Sequence, residues 1–234
     1  MTSVYDPFAA VYDAWAADMT EDVPFYVELA KETEGTVVEL AVGNGRVAIP
    51  VALETGKRVI GIDSSPAMLA QARVRSEQAG ADLDLREADM RDFTLEEPAA
   101  LVYCPFRSLL HMPTWRDRRQ VFERVAQHLR PGGRFAWNAF CFDHAIAARL
   151  DGTTQEQNGV EHELAYSPAE SRIDITAHLP GGDNTISLWW ATKAEWEGLI
   201  DVAGLEVEAL YGWFDRRPFD DEAREFVWVA RKPE

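Results

Sequence analysis

Two carboxylates and a glycine turn carry the strongest chemical signal in this chain. The run Thr36-Val37-Val38-Glu39-Leu40 breaks into Ala41-Val42-Gly43-Asn44-Gly45-Arg46, and Asp63 stands 18 positions after Gly45 at the end of Arg58-Val59-Ile60-Gly61-Ile62. Glycines let a backbone turn tightly and approach a ligand, and a carboxylate ending the next strand accepts hydrogen bonds from both hydroxyls of a ribose. The combination points to a nucleoside site. Read as Gly43-Asn44-Gly45-Arg46-Val47-Ala48, the turn also matches G-x-G-x-x-A, which on its own permits a nicotinamide dinucleotide.

Glu39 separates the two cofactor classes. It lies inside the first run just before the turn, where the negative charges of a pyrophosphate would be repelled by a carboxylate. A cofactor carrying a sulfonium and an ammonium meets no such repulsion. Asp89, in Glu87-Ala88-Asp89-Met90-Arg91, ends a third run, where its carboxylate can accept from an adenine amino group while Met90 packs on the ring. The segment Tyr103-Cys104-Pro105-Phe106-Arg107-Ser108-Leu109-Leu110-His111-Met112 follows a fourth run, at the carboxyl edge where open sheets hold ligands. His111 is the first candidate there for a general base or a substrate-orienting group, because neutral imidazole accepts a proton near working pH. The alternative is a histidine satisfied within the core or at the helix start near Thr114. Arg107 either anchors an anionic substrate group or pairs with one of the chain's many carboxylates. No catalytic triad is recognisable, and the histidines at 111, 128, 144, 162 and 178 are too scattered for a metal site.

These residues need a scaffold that brings strand ends together. From 36 to about 142, short β-rich runs alternate with amphipathic stretches, the pattern of a parallel sheet flanked by helices, with strands over 36–40, 58–62, 82–86, 100–103 and 134–140. Ser65-Pro66 caps a helix over 67–78, and Thr114 caps another running to Leu129 and stopped by Pro131-Gly132-Gly133. Ahead of the sheet, 8–15 and 24–31 predict two short helices rich in aromatic residues, either a lid over a ligand or packing against the sheet edge. After Phe142 the rhythm changes. The segment 144–158 ends in a polar stretch, and alternating runs over 161–166, 172–178 and 185–190, separated by turn residues, predict a small antiparallel unit. Thr192-Lys193-Ala194-Glu195 is a capping box that opens a helix to Ala203, and strands over 205–211 and 225–231 follow. The aromatic group Trp189, Trp190, Tyr211, Trp213 and Phe214 either floors a substrate pocket or packs the antiparallel unit onto the sheet.

Bulk properties exclude several functions. With 234 residues the chain can bury one full core. Its formal charge of −17, from 40 acidic and 23 basic side chains, argues against nucleic acid or an anionic membrane surface as a partner. Cys104 and Cys141 stand in apolar company and read as buried thiols of a reducing compartment. The start has neither a basic head nor an apolar core, and no run reaches the ~18 apolar residues of a membrane span. The expectation is a soluble, cytoplasmic protein.

Glu39-Leu40-Ala41-Val42-Gly43-Asn44-Gly45, Asp63, Asp89-Met90 and Leu129-Arg130-Pro131-Gly132-Gly133, in this order, resemble the motifs of the class I S-adenosylmethionine-dependent methyltransferases, over most of the chain. The resemblance implies a Rossmann-like α/β fold: a seven-stranded sheet with its last strand antiparallel and helices on both faces. A helical cap over 1–33 and an antiparallel insertion over 144–190 would cover the substrate side. It implies S-adenosylmethionine as cofactor, held by Tyr12, Glu39, Ala41, Gly43, Gly45, Asp63, Ser64, Met68, Asp89, Met90 and Tyr103. Tyr12 resembles the family's N-terminal Tyr-Asp element near the methionine end, and Ser108-Leu109-Leu110-His111 is similar to a Ser-x-x-His pattern of the group acting on amino sugars and other small metabolites. His111 is thereby the candidate catalytic residue, and Arg107 and Trp213 are substrate candidates. The departure is Ala41, where the family usually has glycine; the turn survives it if the backbone stays in an ordinary region. The expected reaction is in-line methyl transfer to a nitrogen or oxygen of a small molecule, with room for a homodimer. A nicotinamide oxidoreductase and a non-catalytic cofactor-binding partner protein are the alternatives.

Overall fold

Apolar β-branched runs become strands and the stretches between them helices in the computed structural model, which describes residues 5–234. The chain opens with a 3-10 turn at Phe8–Ala10, then α1 (Tyr12–Trp15) and α2 (Asp22–Lys31). The helix expected over 8–15 is therefore split at Val11. Next come β1 (Thr36–Leu40), α3 (Ala48–Thr55), β2 (Val59–Asp63), α4 (Pro66–Ala79), β3 (Leu83–Glu87) and β4 (Ala99–Cys104). Helix α3 is an element that the periodicity did not announce, because Ala48, Val51 and Ala52 form a short buried stripe with Pro50 in its first turn. Gly56 ends it in the left-handed conformation that favours glycine.

Capping reads as expected around α4. The Ser65 hydroxyl accepts from the Met68 N–H, Pro66 fills the first position, and Gly80 terminates the helix at φ 70°. In α5 (Trp115–His128) Thr114 accepts from the Asp117 N–H, and Val121, Phe122 and Val125 are buried. The expected glycine stop is displaced, however. Leu129 is already extended, and Pro131-Gly132-Gly133 lies inside β5 (Leu129–Phe140). A Cβ on Gly133 would lie 2.9 Å from the Arg130 carbonyl and 3.0 Å from that of Ala99, so only glycine fits this close strand approach.

The remaining elements are α6 (His144–Leu150), β6 (Thr153–Gln157), β7 (Val160–Ser167), β8 (Arg172–Leu179), β9 (Gly182–Trp189), α7 (Lys193–Val202), β10 (Glu206–Tyr211) and β11 (Glu225–Arg231). The main sheet has seven strands in the order β10-β11-β5-β4-β1-β2-β3. β1 to β5 pair in parallel, while β11 is antiparallel to both β5 and β10. The chain reverses direction of winding between β1 and β4, which opens a crevice at their carboxyl ends. Strands β6 to β9 form a separate antiparallel sheet of four, one more than the sequence reading, which missed β6. Its residues are polar, but the Asn158-Gly159 turn that joins it to β7 has both residues at positive φ, the hairpin signal for a two-residue loop.

Three apolar clusters hold these layers. On one face of the main sheet, Trp137 stacks on Trp228 at 5.9 Å and meets Phe122 of α5 and Trp196 of α7. On the other, Tyr26, Tyr103 and Val37 pack with α2, α3 and α4. A fully buried ring of this size contributes about 3 kcal/mol, and Phe122→Ala would cost roughly 3–5 kcal/mol. The third cluster, Phe8, Tyr12, Trp15, Met68, Val160 and Ala177, joins the N-terminal segment to α4 and the small sheet. That cluster roofs the crevice.

Candidate active site

The glycine turn is held by the carboxylate that follows it. Asp63 Oδ2 accepts from the Gly43 N–H at 2.8 Å, and Oδ1 accepts from the Ser65 N–H at 2.8 Å, so one side chain ties the end of β1 to the start of α4. Burial raises the Asp63 carboxyl above its ordinary range, and the backbone N–H groups partly oppose this. Gly43 sits at φ 55°, and Ala41, two residues earlier, at φ 54°. The condition of an ordinary backbone at Ala41 is not met, and the turn forms nonetheless: Ala41 occupies the left-handed region, where its Cβ crowds the following carbonyl.

Ala41, Gly43, Ile62, Asp63, Ser64 and Met68 form one side of a cavity of about 240 Å³, and Ala88, Asp89 and Met90 form the other. Tyr12 and His111 also line it, so nine of the sequence candidates converge on one space. Asp89 does so with its carboxylate already engaged: Arg91 Nη2 donates at 2.6 Å, Nε at 3.0 Å, and the Arg91 N–H at 2.8 Å. An adenine amino group would share that carboxylate with Arg91.

Three cofactor candidates lie outside the cavity. Gly45 belongs to the interface of α3 and α4, where a Cβ would meet Ile49 at 3.0 Å and Ala72 at 3.7 Å. Tyr103 is buried behind the sheet and stacks on Tyr26 at 5.1 Å. Glu39 is 1 % exposed, its Oε2 lacks a hydrogen-bond partner, and burial pushes its carboxyl well above the usual range. Burial at this position opposes the charged form by which Glu39 would repel a pyrophosphate.

A second cavity of about 300 Å³ adjoins the first, and Tyr5, Tyr12, Phe106 and His111 line both. Phe8, Trp15 and Met19 close one side of it; Ile173, Ile175, Ile186 and Leu188 of the small sheet close the other. The N-terminal segment is pinned over this space by polar contacts to the nucleoside side. Arg46 donates to Asp22 at 2.7 and 2.5 Å and to the Met19 carbonyl at 2.7 Å; Asn44 donates to Asp13 at 2.6 Å, and Ser65 to Asp6 at 2.6 Å. Burial holds the Tyr12 phenol up at about 12, so it remains a neutral hydroxyl.

The loop after β4 is strained where it enters this junction. Phe106 and Arg107 are consecutive at φ 57° and 61°, a conformation costing about 1–3 kcal/mol per residue that surrounding contacts must sustain. Arg107 sustains it by a bidentate pair with Glu225, Nε at 3.1 Å and Nη2 at 2.8 Å. Of the two sequence readings of Arg107, pairing with a carboxylate is the observed one. The loop then winds a 3-10 turn over Ser108–His111. Ser108 lines the first cavity, with its hydroxyl donating to the Pro105 carbonyl at 2.7 Å.

His111 Nδ1 lies 3.1 Å from the Ser187 carbonyl of β9, which can only accept, so Nδ1 carries the proton. Nε2 then accepts from the Tyr5 hydroxyl at 2.6 Å. Burial lowers the imidazole to about 4, which keeps it neutral at pH 7. The sequence reading counts Tyr5 among the N-terminal aromatic residues of a possible lid, but no spacing signal pairs a tyrosine ahead of the first helix with His111.

The substrate candidate Trp213 lines neither cavity. It packs on Phe214 at 5.4 Å in the cluster of α2, and Phe214 and Tyr211 both meet Phe25. Trp190 stacks on Phe142 at 3.8 Å, outside the second cavity. Trp189 is not among the residues that line that cavity either. No cluster of His, Cys, Asp and Glu among the described residues could hold a metal, and no helix among them is long and apolar enough to cross a membrane.

Residues 37–133 match the family described as a methyltransferase domain. The chain is 32 % identical over 215 residues to the 27-O-demethylrifamycin SV methyltransferase of Amycolatopsis mediterranei, covering 85 % of this chain and 77 % of that one. It is 28 % identical over 233 residues, 90 % of each chain, to the dTDP-4-amino-2,3,4,6-tetradeoxy-D-glucose N,N-dimethyltransferase of Saccharopolyspora spinosa. The structure superposes on the CcbJ methyltransferase from Streptomyces caelestis with a TM-score of 0.83 and 26 % identity, covering 100 % of this chain and 99 % of that one.

Proposed function

The chain belongs to the class I S-adenosylmethionine-dependent methyltransferases, and from that premise we propose that it methylates a nitrogen or oxygen of a small molecule held in the second cavity. The observation that carries this reading is the junction. Tyr5, Tyr12, Phe106 and His111 belong to both cavities, so a nucleophile in one meets the contents of the other there.

The donor set of the first cavity fits S-adenosylmethionine. The Asp63 oxygens can accept from a ribose diol, Asp89 can accept from an adenine amino group beside Arg91, and Ile62, Met68 and Met90 supply apolar walls. When bound, this cofactor supplies a methyl group on a sulfonium that carries its own leaving group. The protein's residues then have to align the nucleophile and exclude water. The N-terminal segment and the small sheet do the second, closing opposite sides of the acceptor cavity.

Alignment falls to Tyr5 and His111. With Nδ1–H fixed on Ser187, Nε2 can only accept, and the Tyr5 hydroxyl is the group that reaches it. An oxygen acceptor can pass its proton to Tyr5 as Tyr5 passes its own to Nε2; a neutral amine needs only its lone pair directed. An imidazole near pKa 4 is a weak base, so its larger contribution is to orient the hydroxyl. The two relatives support both acceptor types, since one is named for an oxygen and the other for an amine.

The test has two parts. Thermal shifts with S-adenosylmethionine, S-adenosylhomocysteine and NADH are expected to show stabilisation by the first two only, weakened in Asp63→Ala. Carbon-13-methyl cofactor is then supplied with a panel of phenols, alcohols and amines. Label on nitrogen or oxygen in the product spectrum is expected, and label confined to carbon would refute the assignment.

A further inference from the structure

Both guanidinium groups near the acceptor cavity are already neutralised. Among the described residues that line it, Arg107 is the only Asp, Glu, Lys or Arg. Its Nε and Nη2 are committed to Glu225, which has no exposed surface. Glu225 Oε1 also accepts from Asn138 Nδ2 at 2.6 Å, and Asn138 Oδ1 accepts from the Tyr26 hydroxyl at 3.1 Å. A network thus runs from the cavity wall into the core. The remaining Arg107 donors, on Nη1 and Nη2, could meet an anion only as part of a pair whose charge the buried Glu225 already cancels, so Arg107 offers an anionic ligand no net positive charge. Arg46 lies over the Phe106 ring at 4.8 Å, and its two terminal nitrogens are held by Asp22, itself 1 % exposed.

A cationic acceptor fares no better, because no carboxylate lines the space. The walls are mainly apolar, among them Phe8, Trp15, Phe140, Ile175, Ile186 and Leu188, and the polar Gln157 and His162 that join them carry no negative charge. The net charge of −17 adds a repulsive field against any polyanion approaching the opening.

We infer that the part of the acceptor held in the second cavity is uncharged, an apolar body bearing a neutral hydroxyl or unprotonated amine, and that carboxylate and phosphate groups are rejected from that cavity. This rests on the reading of the second cavity as the acceptor site. Burying the apolar body supplies affinity, and the Tyr5 hydroxyl and His111 supply the polar contact that orients the nucleophile. Arg107 acts as a strut for the strained loop.

The test measures binding by calorimetry to the protein saturated with S-adenosylhomocysteine, using 2-naphthol, the shape-matched anion 2-naphthoate, and dTDP. The expected result is that 2-naphthol binds at least about tenfold more tightly than 2-naphthoate, with dTDP weaker still. Glu225→Gln, which frees Arg107, should strengthen 2-naphthoate by about tenfold or more. Should that variant not fold, Arg107→Met combined with Glu225→Gln removes the pair altogether and should hold 2-naphthol within about threefold of wild type. Ile175→Trp, which fills the cavity, should abolish 2-naphthol binding while S-adenosylhomocysteine still binds. If 2-naphthoate or dTDP binds the wild type as tightly as 2-naphthol, the inferred acceptor class is wrong although the site stands. If Ile175→Trp leaves 2-naphthol untouched, or no probe binds, the acceptor site itself is misplaced and the inference falls with it.

Discussion

Ala41 bears a cost that the cofactor turn does not need. Its φ of 54° places an alanine where glycine is at ease, at roughly 1–2 kcal/mol, part of which glycine would return through the entropy of the unfolded chain. Ala41→Gly is therefore expected to stabilise the fold by up to about 1 kcal/mol in urea unfolding. A loss of stability would mean that the methyl group, which lines the cofactor cavity, contributes packing that outweighs the strain. His111 makes a second residue-level prediction. Its folded pKa of about 4 lies below the ordinary 6.5, so the unfolded chain binds more protons between those values. Wild-type stability should accordingly fall as pH drops from 6.5 towards 4, with a slope below the limiting ~1.4 kcal/mol per pH unit, since the ring is only part-buried. His111→Ala should flatten that limb, keep S-adenosylhomocysteine binding and lose most of kcat. Unchanged kcat would remove the imidazole from the reaction. Of these residues Gly43, Asp63 and His111 were legible from type and position; the φ of Ala41 and the partner of His111 were not, because both depend on chain brought in from elsewhere.

At the scale of elements, the N-terminal segment is fastened to the glycine turn by a buried ion pair. Asp22 sits at the start of α2 and Arg46 just past Gly45, with side chains 1 % and 15 % exposed. Removing one partner strands the other, so Asp22→Ala should cost about 3–5 kcal/mol. Hydrogen exchange should rise chiefly over residues 12–31, and a uniform rise across the sheet instead would show that the clasp supports the whole fold rather than its cap. Elements with their own local signals were readable: α4 from Ser65-Pro66, α7 from its capping box, and β1 and β2 from β-branched runs. α3 and β6 were not. The first lacks a polar face to set a period, and the second is an edge strand without an apolar alternation, betrayed only by Asn158-Gly159.

The whole molecule carries a large negative charge, which opposes compaction by self-repulsion. Raising NaCl from about 20 to 300 mM shortens the screening length from roughly 20 to 6 Å and should raise Tm. A falling Tm would indicate that ion pairs such as Arg46–Asp22 dominate over the repulsion. The same imbalance of charge opposes the approach of an anionic acceptor. From the sequence alone one could determine the parallel sheet, the glycine turn with Asp63, the methyl donor and the loop that faces it, because each rests on local periodicity or on motifs a few residues long. Only the tertiary structure decided which candidates share a space. It withdrew Gly45, Tyr103, Glu39 and Trp213 from the cavities, paired Arg107 with Glu225 across 118 positions, and set Tyr5 on His111 across 106. Those outcomes follow from side-chain direction and from the meeting of distant strands, and neither is encoded in the spacing of residues along one chain.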